Sequence, residues 1–352
     1  MTRFRYVTGN LLKADVDALV NTVNTVGVMG KGLALQFKNA FPANFKAYSK
    51  ACKDGDVRLG RVFIFDNGQL IRPRWILNFP TKGHWRARSR LSNVSAGLDD
   101  LRSVVEGLRV ESIAVPPLGC GNGGLSWANV RPLIEEKLDG LGIDVDLYLP
   151  IGSPPAAEMV ISTPRPDLTP PRAALVEMVH RYSNLAFGTS LVEVQKLMYF
   201  LQAAGEPLRL RYKAHLYGPY ADNLRHVLKL LEGHYLRGFG DGSQSVPAAE
   251  PIRVLPDAPR EALSVLSQES ELVGRVERVL ELVRGYESSY GLELLASVHW
   301  LATRDERCDS LDHVIKHVHS WSTRKNRMFT EGHIRMAWTH LQAHGWLTRT
   351  PA

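Results

Sequence analysis

Val20-Asn21-Thr22-Val23-Asn24-Thr25-Val26-Gly27-Val28-Met29-Gly30-Lys31-Gly32 and Pro116-Pro117-Leu118-Gly119-Cys120-Gly121-Asn122-Gly123-Gly124-Leu125 decide how this chain is read. Each leaves a short apolar run and feeds an amphipathic stretch, so each is a strand-to-helix junction rich in glycine. Glycine there lets the backbone approach a phosphate closely, while free N–H groups and the helix dipole favour its negative charge. One such loop is explained as well by a tight turn. Two facing one crevice suit a diphosphate. Neither is a triphosphate or dinucleotide fingerprint: glycine follows the lysine in Gly30-Lys31-Gly32, and no clean GxGxxG is followed by an acid about twenty positions on. The pattern disfavours ATPases and dehydrogenases.

Around these loops, short apolar runs alternate with helical periodicity, the signature of a layered α/β domain. Strands are predicted at Phe4–Val7, Ala18–Val20, Val62–Phe65, Trp75–Phe79, Ile113–Pro116 and Val145–Leu149. Helices are predicted at Lys31–Asn39, Ala43–Cys52, Arg90–Leu108 and Ser126–Leu141, the last with Ser126 or Asn129 as N-cap. Residues 150–171 hold seven of the chain's 20 prolines and read as a semi-rigid linker. Beyond it the 3.6-residue period dominates, in Arg172–Tyr182, Val192–Ala204, Asn223–Glu232, Arg260–Ser267, Leu272–Gly285, Gly291–Ala302, Ser310–His319 and Thr330–His344. The expected organisation is an α/β domain over 1–150, a linker over 151–171 and a mainly helical domain over 172–352.

A chain of 352 residues accommodates two such domains. No apolar run reaches the roughly 18–20 residues that span a bilayer, and the N-terminus lacks a signal-peptide pattern. The three cysteines, Cys52, Cys120 and Cys308, have no metal-ligand spacing, so a reduced cytoplasmic protein without membrane contact is expected. Of the net charge of +7, the first 150 residues supply +6, from 20 Lys and Arg against 14 Asp and Glu. A basic domain suits a polyanion without specifying one.

The run Thr8-Gly9-Asn10-Leu11, then Ala18–Asn24, then the two glycine loops, resembles a macrodomain, the three-layer α/β/α fold with a mixed sheet that binds ADP-ribose. With VNTVNTVGVMGKGLALQFKNAFP, NFPTKGHWR and PPLGCGNGGL, residues 1–150 are most similar to the DNA ADP-ribosyl glycohydrolase antitoxins of DarT–DarG toxin–antitoxin pairs. The resemblance implies that Gly9, Asn10 and Leu11 lie by the adenine and that Asn21 and Asn24 meet the distal ribose. Gly30, Lys31, Gly32 and Leu33, with Thr81 and Gly119, Cys120, Gly121, Asn122, Gly123, Gly124 and Leu125, complete the ADP-ribose site. Many macrodomains have Asp where this chain has Asn10, and some related enzymes have an acid where it has Asn122.

The resemblance also makes Lys82 the catalytic residue. Desolvation of an amine near C1″ of the distal ribose would lower its pKa and let it attack the anomeric carbon. His84 is the one nearby imidazole. In His84-Trp85-Arg86-Ala87-Arg88-Ser89-Arg90, Trp85 suits base stacking and Arg86 and Arg88 suit phosphates of a single DNA strand. The implied substrate is ADP-ribosylated single-stranded DNA, with thymidine-linked ADP-ribose. No cofactor and no metal is expected, ADP-ribose being ligand and product.

In the second domain, Glu193–Phe200 followed by Tyr217-Gly218-Pro219-Tyr220 is similar to a helical module of several antitoxins. The resemblance implies that this domain binds the cognate DarT-like DNA ADP-ribosyltransferase toxin. Glu261, Glu269, Glu271 and Glu277 are candidates for an acidic face that imitates nucleic acid. His313 and His317 share a helix face but lack further ligands for zinc. Ser322–Arg327 is basic enough to touch DNA. The alternative function is a non-enzymatic ADP-ribose reader that neutralises only by toxin binding. No segment reads convincingly as a DNA-recognition helix.

Overall fold

The computed structural model describes residues 1–68, 71–184, 188–244, 250–304 and 310–347, so Cys308 lies outside the described residues. The chain forms two compact units: Met1–Pro164 with Asp241–Ser243, and Arg165–Gly240 with Gln244–Ala352.

The first unit is built on a six-stranded sheet of β1 (Arg3–Val7), β2 (Ala18–Asn24), β3 (Phe63–Asp66), β4 (Trp75–Lys82), β5 (Ser112–Val115) and β6 (Asp144–Tyr148), ordered β1-β6-β5-β2-β4-β3. All neighbours pair in parallel except the edge strand β3, which is antiparallel to β4, so the sheet is mixed as expected. Side chains alternate across β2. Ala18 and Val20 join Leu77 and Phe79 of β4 in a core closed by α3 (Leu91–Leu108) and α4 (Trp127–Leu138). Leu19 faces the other way, toward Phe37 of α1 (Gly32–Ala40), and Val23 packs with Tyr48 of α2 (Pro42–Asp54). Helices thus cover both faces, giving three layers. Ser126 stands at the N-cap of α4 but makes no side-chain capping bond.

One glycine sets the spacing between α3 and the sheet. A Cβ on Gly97 would stand 2.8 Å from Phe79 Cε1 and closer still to Cζ. The Phe79 ring therefore occupies the space that a side chain at position 97 would fill.

The expected linker divides. Its first half belongs to the first unit: Ala156 is buried, Val160 packs on the α1-side core, and Ser162 N donates to Asn39 O at 2.8 Å. Its last two prolines start α5 (Pro170–Ser183), because proline at the first helical turn removes an N–H that has no partner there anyway. Within the first unit, Asp241 Oδ2 accepts from Gln36 Nε2 and Ser153 Oγ, each at 2.7 Å.

The second unit is mainly helical. After α5 come α6 (Leu191–Ala203), the hairpin β7 (Lys213–His215) and β8 (Gly218–Tyr220), α7 (Leu224–Leu231), the short pair β9 (Leu236–Arg237) and β10 (Arg253–Val254), α8 (Ala258–Leu266), α9 (Ser270–Leu282), α10 (Ser289–Arg304), α11 (Leu311–Trp321), α12 (Thr323–Met328) and α13 (Glu331–Ala343). The four short strands and α12 are elements that periodicity does not predict, being too short for a period to emerge. Ser190 and Glu193 form a capping box at the start of α6. The four glutamates do not make a free acidic face: Glu261, Glu271 and Glu277 are paired with Arg165, Arg275 and Arg181. His317 Nδ1 pairs with the His313 carbonyl at 2.7 Å.

Replacing Gly97 by Ala forces Phe79 off its rotamer or α3 off the sheet. Chemical denaturation should read a stability loss of about 1–3 kcal/mol.

Candidate active site

β2, β4 and β5 are adjacent and parallel, so their C-terminal ends open on one edge of the sheet. Connections leave the central strand β2 toward β3 on one side, and return by α3 to β5 on the other. The crevice at such a reversal is where open α/β sheets bind ligands. The first glycine loop leaves β2, the second leaves β5 on one side of it, and β4 on its other side ends in Lys82.

β2 and β4 run farther than their apolar residues suggest, and this places the lysine. Their ladder continues to Asn24 opposite Lys82, with a register shift between Val23 and Asn24. Lys82 Nζ donates to Asn122 O at 3.0 Å. Asn122 Nδ2 in turn lies 3.4 Å from where a Cβ on Gly32 would stand. The catalytic candidate and both glycine loops therefore meet at Asn122. Partial burial lowers the Lys82 pKa, since desolvation penalises the ammonium form.

β2, β4 and α2 share a buried carboxamide network. Asn78 Nδ2 donates to Asn44 Oδ1 at 2.7 Å, while Asn78 Oδ1 accepts from Asn21 Nδ2 at 3.0 Å and Asn44 Nδ2 at 3.3 Å. Asn21 is fully buried, and its Oδ1 has no hydrogen-bond partner. Asn24 organises the first loop: its Oδ1 accepts from Val26 N (3.0 Å) and Val28 N (3.3 Å), and its Nδ2 donates to Val28 O (2.6 Å). Tyr48 OH donates to Asn24 O at 2.5 Å. Thr81 is buried on the β2–β4 seam and donates to Val23 O at 3.4 Å. Thr25 Oγ1 donates to Gly83 O at 2.8 Å, tying the first loop to the residue after Lys82.

Asn10 is tied into the fold by its side chain. Its Oδ1 accepts from Leu12 N at 3.0 Å and its Nδ2 donates to Glu158 O at 2.8 Å, so both ends of the amide are engaged in folding the chain around it. Of the other expected ligand residues, Gly9, Lys31, Gly121, Asn122 and Gly124 are exposed, Gly30, Leu33, Cys120 and Leu125 half-buried, and Leu11, Gly32, Gly119 and Gly123 buried.

The second loop is shaped by Ser89. A Cβ on Gly123 would stand 2.9 Å from Ser89 Cβ and closer still to Ser89 Oγ and Gly119 O. Ser89 N donates to Gly123 O at 3.0 Å, which holds the lysine loop against the glycine loop. Burial pushes the Cys120 thiol up to about 11, so it is no nucleophile near neutral pH. Outside, His84, Trp85, Arg86 and Arg88 are all exposed; the His84 and Trp85 rings lie 5.3 Å apart and the Arg86 guanidinium 4.4 Å over the indole. Among the described residues no cluster of three or more His, Cys, Asp or Glu stands ready for a metal ion. Sequence reasoning missed Asn44, Tyr48, Asn78 and Ser89. Asn78, polar amid Ile76-Leu77 and Phe79, was the visible signal.

Residues 20–134 match the Macro domain family model. A DNA ADP-ribosyl glycohydrolase of Thermus aquaticus is 47% identical over 99% of this chain and 97% of its own length. The chain belongs to the DNA ADP-ribosyl glycohydrolase family. It is a glycohydrolase built on a macrodomain. The macrodomain of Thermus aquaticus DarG is 58% identical, covering 43% of this chain and 100% of that one at a TM-score of 0.42. A DNA ADP-ribosyl transferase–DNA ADP-ribosyl glycohydrolase fusion protein of Thermosipho africanus is 37% identical over 41% of each chain.

Gly123→Ala should displace the second loop while leaving the sheet intact. Calorimetric titration with ADP-ribose should show affinity reduced about tenfold or more, with a melting temperature close to the parent's.

Proposed function

We propose that the protein removes ADP-ribose from single-stranded DNA in which thymidine carries the modification, and that its second unit neutralises a DarT-like DNA ADP-ribosyltransferase toxin by binding it. The observation that carries the enzymatic half is Lys82: a partly desolvated amine at the end of β4 reaches Asn122 O, where two glycine loops suited to a diphosphate meet. A module that only held ADP-ribose needs the loops but no amine at the ribose.

In this reading the neutral Lys82 amine attacks C1″ of the distal ribose. The electron pair of the C1″–base bond leaves on the base nitrogen, which takes up the proton released by the new ammonium. Water then adds to C1″ of the lysyl adduct and the amine departs with its proton balance restored. The sum is one water consumed, one ADP-ribose and one unmodified base released, so no cofactor enters. Asn122 O, accepting from Lys82 Nζ, orients the amine before attack. Exposed Trp85, Arg86 and Arg88 border the same edge and suit the flanking strand. The toxin-binding half is supported by the fused transferase in the Thermosipho africanus relative.

Lys82→Ala, given an ADP-ribosylated single-stranded oligonucleotide, should release ADP-ribose about 100-fold more slowly or worse while still binding free ADP-ribose. Undiminished turnover overturns the lysine mechanism; binding without turnover by the parent favours the reader.

Because the attacking form is the free base, kcat/KM should rise with pH as Lys82 loses its proton. It should level off below the ordinary lysine value of 10.5. Lys82→Arg, which keeps the charge but offers no free amine, should show no such rise.

A further inference from the structure

Arg209-Leu210-Arg211-Tyr212-Lys213-Ala214-His215-Leu216-Tyr217 and Trp321-Ser322-Thr323-Arg324-Lys325-Asn326-Arg327 each carry three lysines or arginines and no acid. The second unit brings them together. Trp321 Nε1 donates to His215 O at 3.1 Å, and the Arg324 guanidinium lies 4.9 Å over the Tyr217 ring. Leu210 and Tyr212 turn into the core, while Arg211, Lys213, His215 and Arg327 are exposed and Tyr217 and Trp321 half-exposed. Asn223 clamps the first segment, its Oδ1 accepting from Arg211 N and its Nδ2 donating to Arg209 O, both at 3.0 Å.

The face stands on buried charge. Lys196 and Lys325 are fully buried: Lys196 Nζ donates to Pro219 O at 2.6 Å, and Lys325 Nζ to Glu293 Oε1 at 2.6 Å and Ser297 Oγ at 2.9 Å. Arg324 reaches the same Glu293 oxygen at 2.6 Å. The two assemblies adjoin, since a Cβ on Gly218 would stand 2.9 Å from Ser297 Oγ and 3.6 Å from Lys196 Nζ. One buried carboxylate thus serves both Arg324 and Lys325, while Lys196 is held by a carbonyl. An interior that leaves cations under-compensated costs stability unless an anion lies within reach, and the surface above is itself positive. The hairpin and α12 are held rigidly to α6 and α10 by these contacts, so the surface is preorganised.

We propose that this face binds single-stranded nucleic acid, with Arg211, Lys213 and Arg327 on phosphates and Tyr217 and Trp321 offering faces to bases. Positive charge alone would equally meet an acidic peptide. The two half-exposed rings held beside the cations are what favour a strand with bases. This inference does not rest on the lysine chemistry of the first unit.

The test is fluorescence anisotropy with a labelled, unmodified single-stranded oligonucleotide and the full chain, in which Arg86→Gln and Arg88→Gln silence the other basic segment. Adding Arg211→Gln, Lys213→Gln and Arg327→Gln should weaken binding about tenfold or more. It should also flatten the slope of log affinity against log salt by about 2, at roughly 0.7 for each phosphate no longer neutralised. Tyr217→Leu should weaken binding without flattening the slope. Circular dichroism and an unchanged melting temperature confirm that each variant is folded. Parent-like affinity and slope in the folded triple variant overturn the proposal, as does polyglutamate competing as well as the oligonucleotide at equal charge.

Discussion

The parallel ladder between β2 and β4 is the constraint on which the first unit depends. Its register brings Asn21 beside Asn78 and Asn24 beside Lys82, and one face of the pair is closed by Asn44 from α2. Buried amides without partners are expensive, so the Asn21–Asn78–Asn44 network specifies one register and disfavours a slip that would turn every side chain to the opposite face. The ladder thereby fixes at once the root of the first glycine loop and the end of the strand that presents the amine. The orphaned Asn21 oxygen shows that the arrangement is not optimised for stability alone.

The lowered pKa of Lys82 comes from desolvation. Asn122 makes the arrangement economical: its backbone oxygen receives the amine and its side chain approaches the turn at Gly32. Asn122 offers no carboxylate, which leaves the lysine without an acidic partner from that residue to stabilise its ammonium form.

Much of this was legible in the residues. The glycine loops and the long periodic helices announced the layered fold and the sheet edge where the loops gather, because glycine density and apolar period are local properties. The ends of β2 and β4 were not legible, since Asn21, Asn24, Thr81 and Lys82 are polar. Only the ladder shows that polar residues continue a strand. The intrachain bonds of Asn10, Asn21 and Asn24 were not legible either, since a sequence does not show which partner a buried amide takes. In the second unit the helices were visible. The hairpin and α12 were not, being set by contacts between segments far apart in sequence, Lys196 with Pro219 and Lys325 with Glu293.

Lys196 has a consequence for the whole second unit. Burial pulls its pKa from 10.5 down to about 7, so near pH 8 or 9 the folded chain holds it largely as a free amine, whereas the unfolded chain would hold it charged. Unfolding in that window therefore absorbs a proton from the buffer. Stability then grows as pH rises from about 7 toward 10.5, and below that window both states carry the charge and the folded state bears the full penalty. Lys325 is shifted in the same direction. The hairpin's anchor is in this sense a proton-release step built into folding.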